Sequence, residues 1–306
     1  MAERDDVRWG LAQRFEMIEW RAYWLGRVNR SDLEERFGVS TPQASVDLRA
    51  YQEAAPGNIE YDLTQRTYVP TEKFKQIFLT LSSDRYLGQL NAILNGAVLT
   101  RDTWFKSPPP ATVMKTIVRS VEPATLRAIL RAIEDRHEIE IDYQSLKNAR
   151  KRAITPHALA FDGHRWHARA WCAHRNEFRD FVLTRIRSVG ESKPSDANPT
   201  NDVEWNTIVK LKIIPHPKLN DAGKAAIELD YDMEGGELIL ETRAALAFYL
   251  IKRLNLDLAN LDLDSNKVPA ARLPIFLTNY AEVEEACRTA HEKMRALVVG
   301  QTQRVA

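Results

Sequence analysis

Two short runs joined by the pair Asp162-Gly163 limit most tightly what this chain can fold into. They read TPHALAF before the pair and RWHARAWC soon after it, and a third run, FRDFVL, begins at Phe178. Side chains of a strand alternate between its two faces. Trp166, Ala168, Ala170 and Cys172 therefore share one side, the expected core side, and Arg165, His167, Arg169 and Trp171 share the other. In the third run Arg179, Phe181, Leu183 and Arg185 fall together, opposite Phe178, Val182 and Ile186. An Asp-Gly pair between alternating runs is a strong hairpin signal. Ile139, Ile141 and Tyr143 alternate with acids in a further strand, residues 147–152 read as a basic loop, and residues 174–177 connect the last two runs. Several short strands with tight turns predict a small barrel.

The charge on these strands needs a partner. Residues 143–187 hold ten Lys or Arg against three acids, a net of +7, inside a chain with 43 Lys+Arg and 42 Asp+Glu. A guanidinium cannot shed its proton, and burying it unpaired is costly. Local acids are scarce, so an anion is the expected partner of Arg169, Arg179 and Arg185, with His167 on the Arg169 face. Phosphate-bearing molecules suit such a surface. The plain alternative is a solvated basic face.

The amino-terminal part reads as a winged helix-turn-helix. Leu11, Phe15, Ile18 and Ala22 recur at helical spacing. Ser31 is the expected cap of a second helix over residues 32–37, with Glu34 completing a capping box and Gly38 ending it. Ser40 caps a third helix, with Pro42 in its first turn. Leu33, Phe37, Val39, Val46 and Leu48 are the expected core, and residues 59–62 and 67–69 form a hairpin with Arg66 at its tip. Such a unit aims a helix N-terminus at the DNA major groove. The candidate contacts are Ser40, Thr41, Gln43, Ser45 and Arg49, with Arg66 reaching from the wing. Residues 1–80 carry eleven Lys or Arg and thirteen acids, so dimerisation and DNA shape are expected to supply much of the binding. The alternative is a winged helix used for protein contacts alone.

The fold class expected is α+β and multidomain. The winged helix takes residues 1–75, a mostly helical linker 76–136, the barrel 137–191, and a small α+β domain 202–306. In the linker Leu79, Tyr86, Leu90, Ile93 and Leu94 make one apolar face, residues 107–110 break the chain, and Pro123 opens a helix through Ile129 and Ile133. Residues 192–201 form a polar, proline-containing boundary. Beyond it strands are expected at 209–214 and 237–241, with helices at 219–229, 243–254 and 283–297. Residues 188–306 hold fourteen Lys or Arg against eighteen acids, which disfavours DNA as their partner.

Other function classes find little support. No apolar run is long enough to span a bilayer, and the terminus MAERDDVRWG has no signal-peptide pattern. With Cys172 and Cys287 as the two cysteines, a disulfide framework is excluded and a cytoplasmic setting is expected. His164-x-x-His167 and Cys172-x-His174 hold ligand-type residues, but alternation sends Cys172 to the face opposite His167, so no metal site is predicted. No phosphate loop, dinucleotide fingerprint or nucleophile elbow is present, so neither an enzyme nor a cofactor is predicted. A nucleic-acid-binding or processing protein whose barrel is itself the working site is the alternative from a different class.

The barrel region, PHALAFDGHRWHARAWC followed by a basic loop and FRDFVLTRI, resembles the WYL domain, an Sm-like or SH3-like barrel of bacterial transcription regulators. The name-giving triplet falls on Trp166-His167-Ala168, which differs from it at two positions. The wider pattern is similar to the WYL regulators encoded beside BREX and CBASS phage-defence systems. That resemblance implies a ligand pocket at Tyr143, Ser145, His157, Arg169, Arg179 and Arg185, with Tyr143 stacking on a base and Ser145 and His157 bonding phosphate or sugar. It further implies that the C-terminal part pairs subunits. The capped helices of such a homodimer are expected to bind an inverted repeat in a double-stranded operator, and the arginine-bearing strands to take a nucleotide or oligonucleotide effector. The expected protein is a ligand-responsive repressor of a phage-defence operon.

Overall fold

A computed structural model describes residues 9–115, 117, 119–261 and 272–302. The first eight residues, part of the terminus read above, lie outside the described residues. The chain divides into two compact units, residues 1–117 and 118–306.

In the first unit α1 (Trp9–Leu25) buries Phe15, Ile18 and Ala22 against α2 (Arg30–Phe37) and α3 (Thr41–Ala54). α2 starts two residues before the expected helix. Its cap is Asn29 rather than Ser31, and the Asp32 carboxylate accepts from the Asn29 N–H at 2.8 Å, closing the helix end from three residues downstream. Gly38 ends α2 at φ +64°, a left-handed conformation that favours glycine. Ser40 caps α3 through the Gln43 N–H. Val46, expected in the core, is 55 % exposed. Ala44, Leu48 and Tyr51 at helical spacing fill that place, and Val46 lies about half a turn away. β1 (Ile59–Asp62) and β2 (Thr67–Pro70) pair antiparallel, with Arg66 between them at φ +54°.

Residues after the hairpin are anchored from α1. The fully buried Glu19 carboxylate accepts from the backbone N–H groups of Ile77, Phe78 and Leu79 at 2.8–3.2 Å. α4 (Ser83–Leu94) then lays Leu90 and Tyr86 into a second aromatic cluster with Trp20, Trp104 and Phe105. The expected mostly helical linker is not what forms. Residues 71–82 carry no helix, and the described residues of 95–122 have a single 3-10 turn, at Thr100–Asp102.

The second unit opens with α5 (Pro123–Asp135), which is no linker. Its Ile129 and Ala132 join the core of the sheet. β3 (His137–Gln144), β4 (Ala149–Phe161), β5 (Trp166–Cys172), β6 (Glu177–Val182) and β7 (Ile186–Pro194) form one antiparallel sheet in the order β6-β5-β4-β3-β7. Ala168, Ala170 and Cys172 share its core with Ile139 and Ile141, as alternation predicts, but Trp166, expected on the same side, is 50 % exposed at the start of β5. Phe181 and Leu183 of the expected arginine face enter the core as well, and Ile186, expected opposite them, joins them because a 3-10 turn at Leu183–Arg185 breaks the alternation. β3 and β6 are not sheet neighbours, yet the Val182 N–H donates to the Tyr143 hydroxyl at 3.2 Å and the Tyr143 and Phe181 rings lie 5.2 Å apart. The sheet therefore curls toward closure. The predicted basic loop shrinks to residues 145–148, because β4 begins at Ala149 and takes in Arg150 and Arg152.

The polar boundary is also structured. β7 runs to Pro194, and the Thr155 and Ser195 hydroxyls meet at 2.7 Å. α6 (Val203–Asn206) leads into a three-stranded antiparallel sheet, ordered β10-β8-β9 and formed by β8 (Ile208–Pro215), β9 (Leu238–Arg243) and β10 (Ile275–Leu277). α7 (Asp221–Asp230), α8 (Ala244–Arg253), α9 (Leu256–Leu261) and α10 (Tyr280–Thr302) complete it. No helix among the described residues is long and apolar enough to cross a membrane.

Candidate effector cleft and DNA-reading helix

Alternation decides which arginines can meet. In an antiparallel pair, directly opposed residues point to the same face. Arg179 opposes Ala170, a core-face residue, whereas Arg169 opposes Asp180. Arg169 and Arg179 therefore lie on opposite faces of the sheet, and the single arginine wall expected from the sequence separates into two sites.

The first is a cleft of about 440 Å³ at one end of the curled sheet. Arg179 and Arg185 line it as expected, joined by Lys147, Arg150, Arg152 and Arg175; Asp180 borders it too, but its carboxylate is engaged by Arg169 and Tyr249 on the other face of the strand. Arg150 opposes Tyr143 in the register, so both face the same way. Among the described residues Arg150, Arg175 and Arg185 have no carboxylate partner. Arg152 sits 6.0 Å from the Tyr143 ring, and its Nε is buried without a hydrogen-bond partner. Arg179 meets Glu177 at 2.9 Å, but the guanidinium is about half exposed, where such a pair holds weakly. Tyr143 and Ser145 also line the cleft with part of their chemistry committed. Tyr143 is buried, with its ring edge-to-face against Phe181 and the Arg152 guanidinium 6.0 Å from its centre, which leaves little of it for a base to stack on. The Ser145 hydroxyl accepts from the N–H groups of Lys147 and Asn148 and donates to the Asn148 carbonyl, which holds the turn 145–148 tight.

The second site corrects the expected pocket. Arg169 is 3 % exposed and faces the chain's own carboxylates instead of an anionic ligand. Nε and Nη2 grip Asp202 at 2.7 and 2.8 Å, Nη2 meets Glu204 at 2.6 Å, and Nη1 reaches Asp180 at 3.3 Å. His157 also points here, with Nε2 3.0 Å from Asp202, and His291 meets Glu204 at 2.8 Å. His167 is buried, stacked on Tyr249 with Nε2 3.6 Å from Asp162. The Tyr249 hydroxyl donates to Asp180 at 3.1 Å. His157, His167 and Arg169 thus belong to an internal joint between the barrel and α6, α8 and α10. A local charge count could not see it, because Asp202 and Glu204, which hold Arg169 at the shortest distances, lie more than thirty residues away in sequence. Burial alone would raise the Asp202 carboxyl, but hydrogen bonds from Arg169 and His157 outweigh it and hold it below the usual range. Burial opposes charge on Arg169 too, yet the Asp202 bonds and the Asp180 charge fix its proton more firmly than usual.

In the first unit α3 presents Pro42, Val46 and Arg49 directly opposite its buried stripe, with Gln43 and Ser45 on the flanks and Ser40 and Thr41 at the tip. Two of the predicted contacts are already engaged. The Gln43 amide donates to Asp47 at 2.9 Å, and the Ser45 hydroxyl donates to the Thr41 carbonyl at 2.9 Å. Arg49 and Arg66 are exposed and have no ion pair among the described residues. Arg30, missed in the sequence, reaches this face at 3.4 Å from the Ser45 oxygen.

A winged helix followed by an arginine-lined, curled sheet and a separate α+β sheet defines a WYL-domain transcription regulator. Three family models match in that order: the BrxR transcriptional regulator winged helix-turn-helix domain over residues 10–92, the WYL domain over 124–190, and the BrxR transcriptional regulator C-terminal dimerization domain over 208–283. The chain is 38 % identical over 282 residues to the DNA-binding transcriptional repressor CapW of Escherichia coli, covering 92 % of this chain and 93 % of that one. It is 40 % identical over 256 residues to CapW of Pseudomonas aeruginosa (83 % and 86 %), and 37 % over 296 residues to CapW of Stenotrophomonas maltophilia (95 % and 97 %). The chain belongs to the CapW family. Proteasome accessory factor B/C of Arthrobacter aurescens matches over 93 % of this chain and 48 % of its own length, but at 13 % identity and a TM-score of 0.24 that likeness carries no weight.

Proposed function

We propose that this protein is a dimeric, ligand-responsive repressor that binds an inverted-repeat operator in double-stranded DNA and regulates a phage-defence operon. Its relatives are named as DNA-binding transcriptional repressors, and its C-terminal part matches a dimerization domain. α3 supplies the reading head, with Arg49 and the tip residues Ser40 and Thr41 toward the groove, Gln43 and Ser45 beside them, and Arg66 on the backbone from the wing. The effector is an anion of nucleotide or short-oligonucleotide size held by Arg179 and Arg185, with Tyr143 and Ser145 shaping the floor and rim. The observation that carries this is the cleft itself, lined by six cations with most of the guanidinium groups uncommitted and the bordering Asp180 carboxylate engaged on the other face of its strand. The effector shifts operator occupancy only as far as it binds the two states differently.

The test is a mobility-shift assay on DNA upstream of the protein's own gene at low salt. The wild type shifts it at micromolar dimer or below, and adding a short single-stranded oligonucleotide changes the affinity. Arg179→Ala retains the shift and loses the response. Absence of any shift by the wild type removes the repressor reading, and a full response in Arg179→Ala removes the cleft.

A further inference from the structure

We propose that Asp180 is the positioning residue that passes occupancy of the arginine cleft on to the C-terminal section of the chain. The proposal rests on the reading of the cleft as an effector site. Strand β6 serves both sites at once. Arg179 and Phe181 face the cleft, and Asp180 between them turns to the joint on the other side of the sheet. Its carboxylate accepts from Arg169 at 3.3 Å and from the Tyr249 hydroxyl at 3.1 Å. Tyr249 lies on α8, so Asp180 is a direct tie between a cleft-lining strand and the section that matches a dimerization domain.

The joint is built to yield at this point. Arg169 faces three carboxylates, so with neutral imidazoles the cluster carries two more negative charges than positive ones. Asp202 is held by two short bonds and Glu204 by one at 2.6 Å, while Asp180 has the longest contact of the three. A hydrogen bond at 3.3 Å is lost beyond about 3.5 Å. A few tenths of an ångström of movement in β6, as an anion draws in Arg179 and Arg185, breaks it and leaves the other two intact. Tyr249 then loses a partner fixed by Arg169, and the stacked pair Tyr249–His167 can shift. The His167 Nδ1, buried and without a hydrogen-bond partner, leaves that pair unpinned on one side.

Hydrogen exchange on the full-length protein, with pentathymidylate as probe and fluorescence anisotropy as the measure of its binding, tests this. In the wild type the probe changes exchange in residues 244–253 at least fivefold, within the usual range of allosteric coupling of about 5–150-fold. Asp180→Asn keeps probe affinity within a factor of about two and loses the change in residues 244–253; a wild-type response in that variant overturns the proposal. Should the probe fail to bind the wild type, the effector reading fails for short single strands, and the tie is judged without ligand. Tyr249→Phe must then speed exchange in residues 177–182 at least twofold, and unchanged exchange there overturns the tie on its own.

Discussion

Replacing Arg169 by methionine removes the centre of the buried joint and leaves Asp202, which has no exposed surface, without its two shortest bonds. Breaking a buried ion pair by deleting one partner costs about 3–5 kcal/mol, because the remaining charge stays desolvated. An exposed pair behaves differently. Lys151 and Glu140, 75 % and 45 % exposed, form a pair that solvent screens and that holds little stability. With urea slopes of about 1–3 kcal/mol per molar, Arg169→Met should lower the unfolding midpoint of the second unit by about 1–5 M, and Lys151→Met should leave it nearly unchanged. Exchange of β4 and β5 amides across a urea series reads this unit apart from the other. The pH dependence fixes the sign. Asp202 is depressed in the folded wild type, so its contribution is present above the unfolded carboxylate value and fades as pH falls through the folded one. In Arg169→Met the Arg169 bonds and charge are gone, leaving His157 and the Trp205 N–H against burial, so that carboxyl rises and acidification favours the folded variant. The gap between the two proteins therefore narrows from pH 7 toward pH 4.5. A loss below about 1 kcal/mol, or a gap that widens in acid, refutes the reasoning.

In the first unit, Glu19→Ala strips the acceptor from three backbone N–H groups at about 1–3 kcal/mol each, so exchange of α1 and residues 77–79 should rise by at least a hundredfold. Gly38→Ala must hold alanine in the left-handed region, at about 1–2 kcal/mol, visible as an earlier thermal transition of the winged helix with operator contacts unchanged. Arg49→Ala removes the most outward cation of α3 and should weaken operator binding at least tenfold in a mobility-shift titration, with no change in melting temperature.

Local signals were legible where chain geometry is local. The core alternation of Ala168, Ala170 and Cys172, the Asp162-Gly163 turn, the Gly38 stop and the Ser40 cap all follow from rules spanning a few residues. Asn29 takes the cap in place of Ser31 because the Asp32 carboxylate, three residues on, accepts from its N–H and starts the helix two residues earlier. The site was half legible. Its charge stood out in the sequence, but register decides faces, and a one-residue offset on β6 separates Arg179 from Arg169. Beginning β4 at Ala149 would have brought Arg150 and Arg152 into the cleft by parity with Tyr143. No local signal points from Arg169 to Asp202 and Glu204, since chain folding alone brings them together.

A salt series of oligonucleotide binding tests the cleft most directly. For single strands the slope of log affinity on log salt is about −0.7 per phosphate neutralised. The double substitution Arg179→Ala, Arg185→Ala should weaken pentathymidylate binding and flatten that slope by about 1.4. The same affinity and slope in the double variant would contradict the account, because the anion would then be held elsewhere.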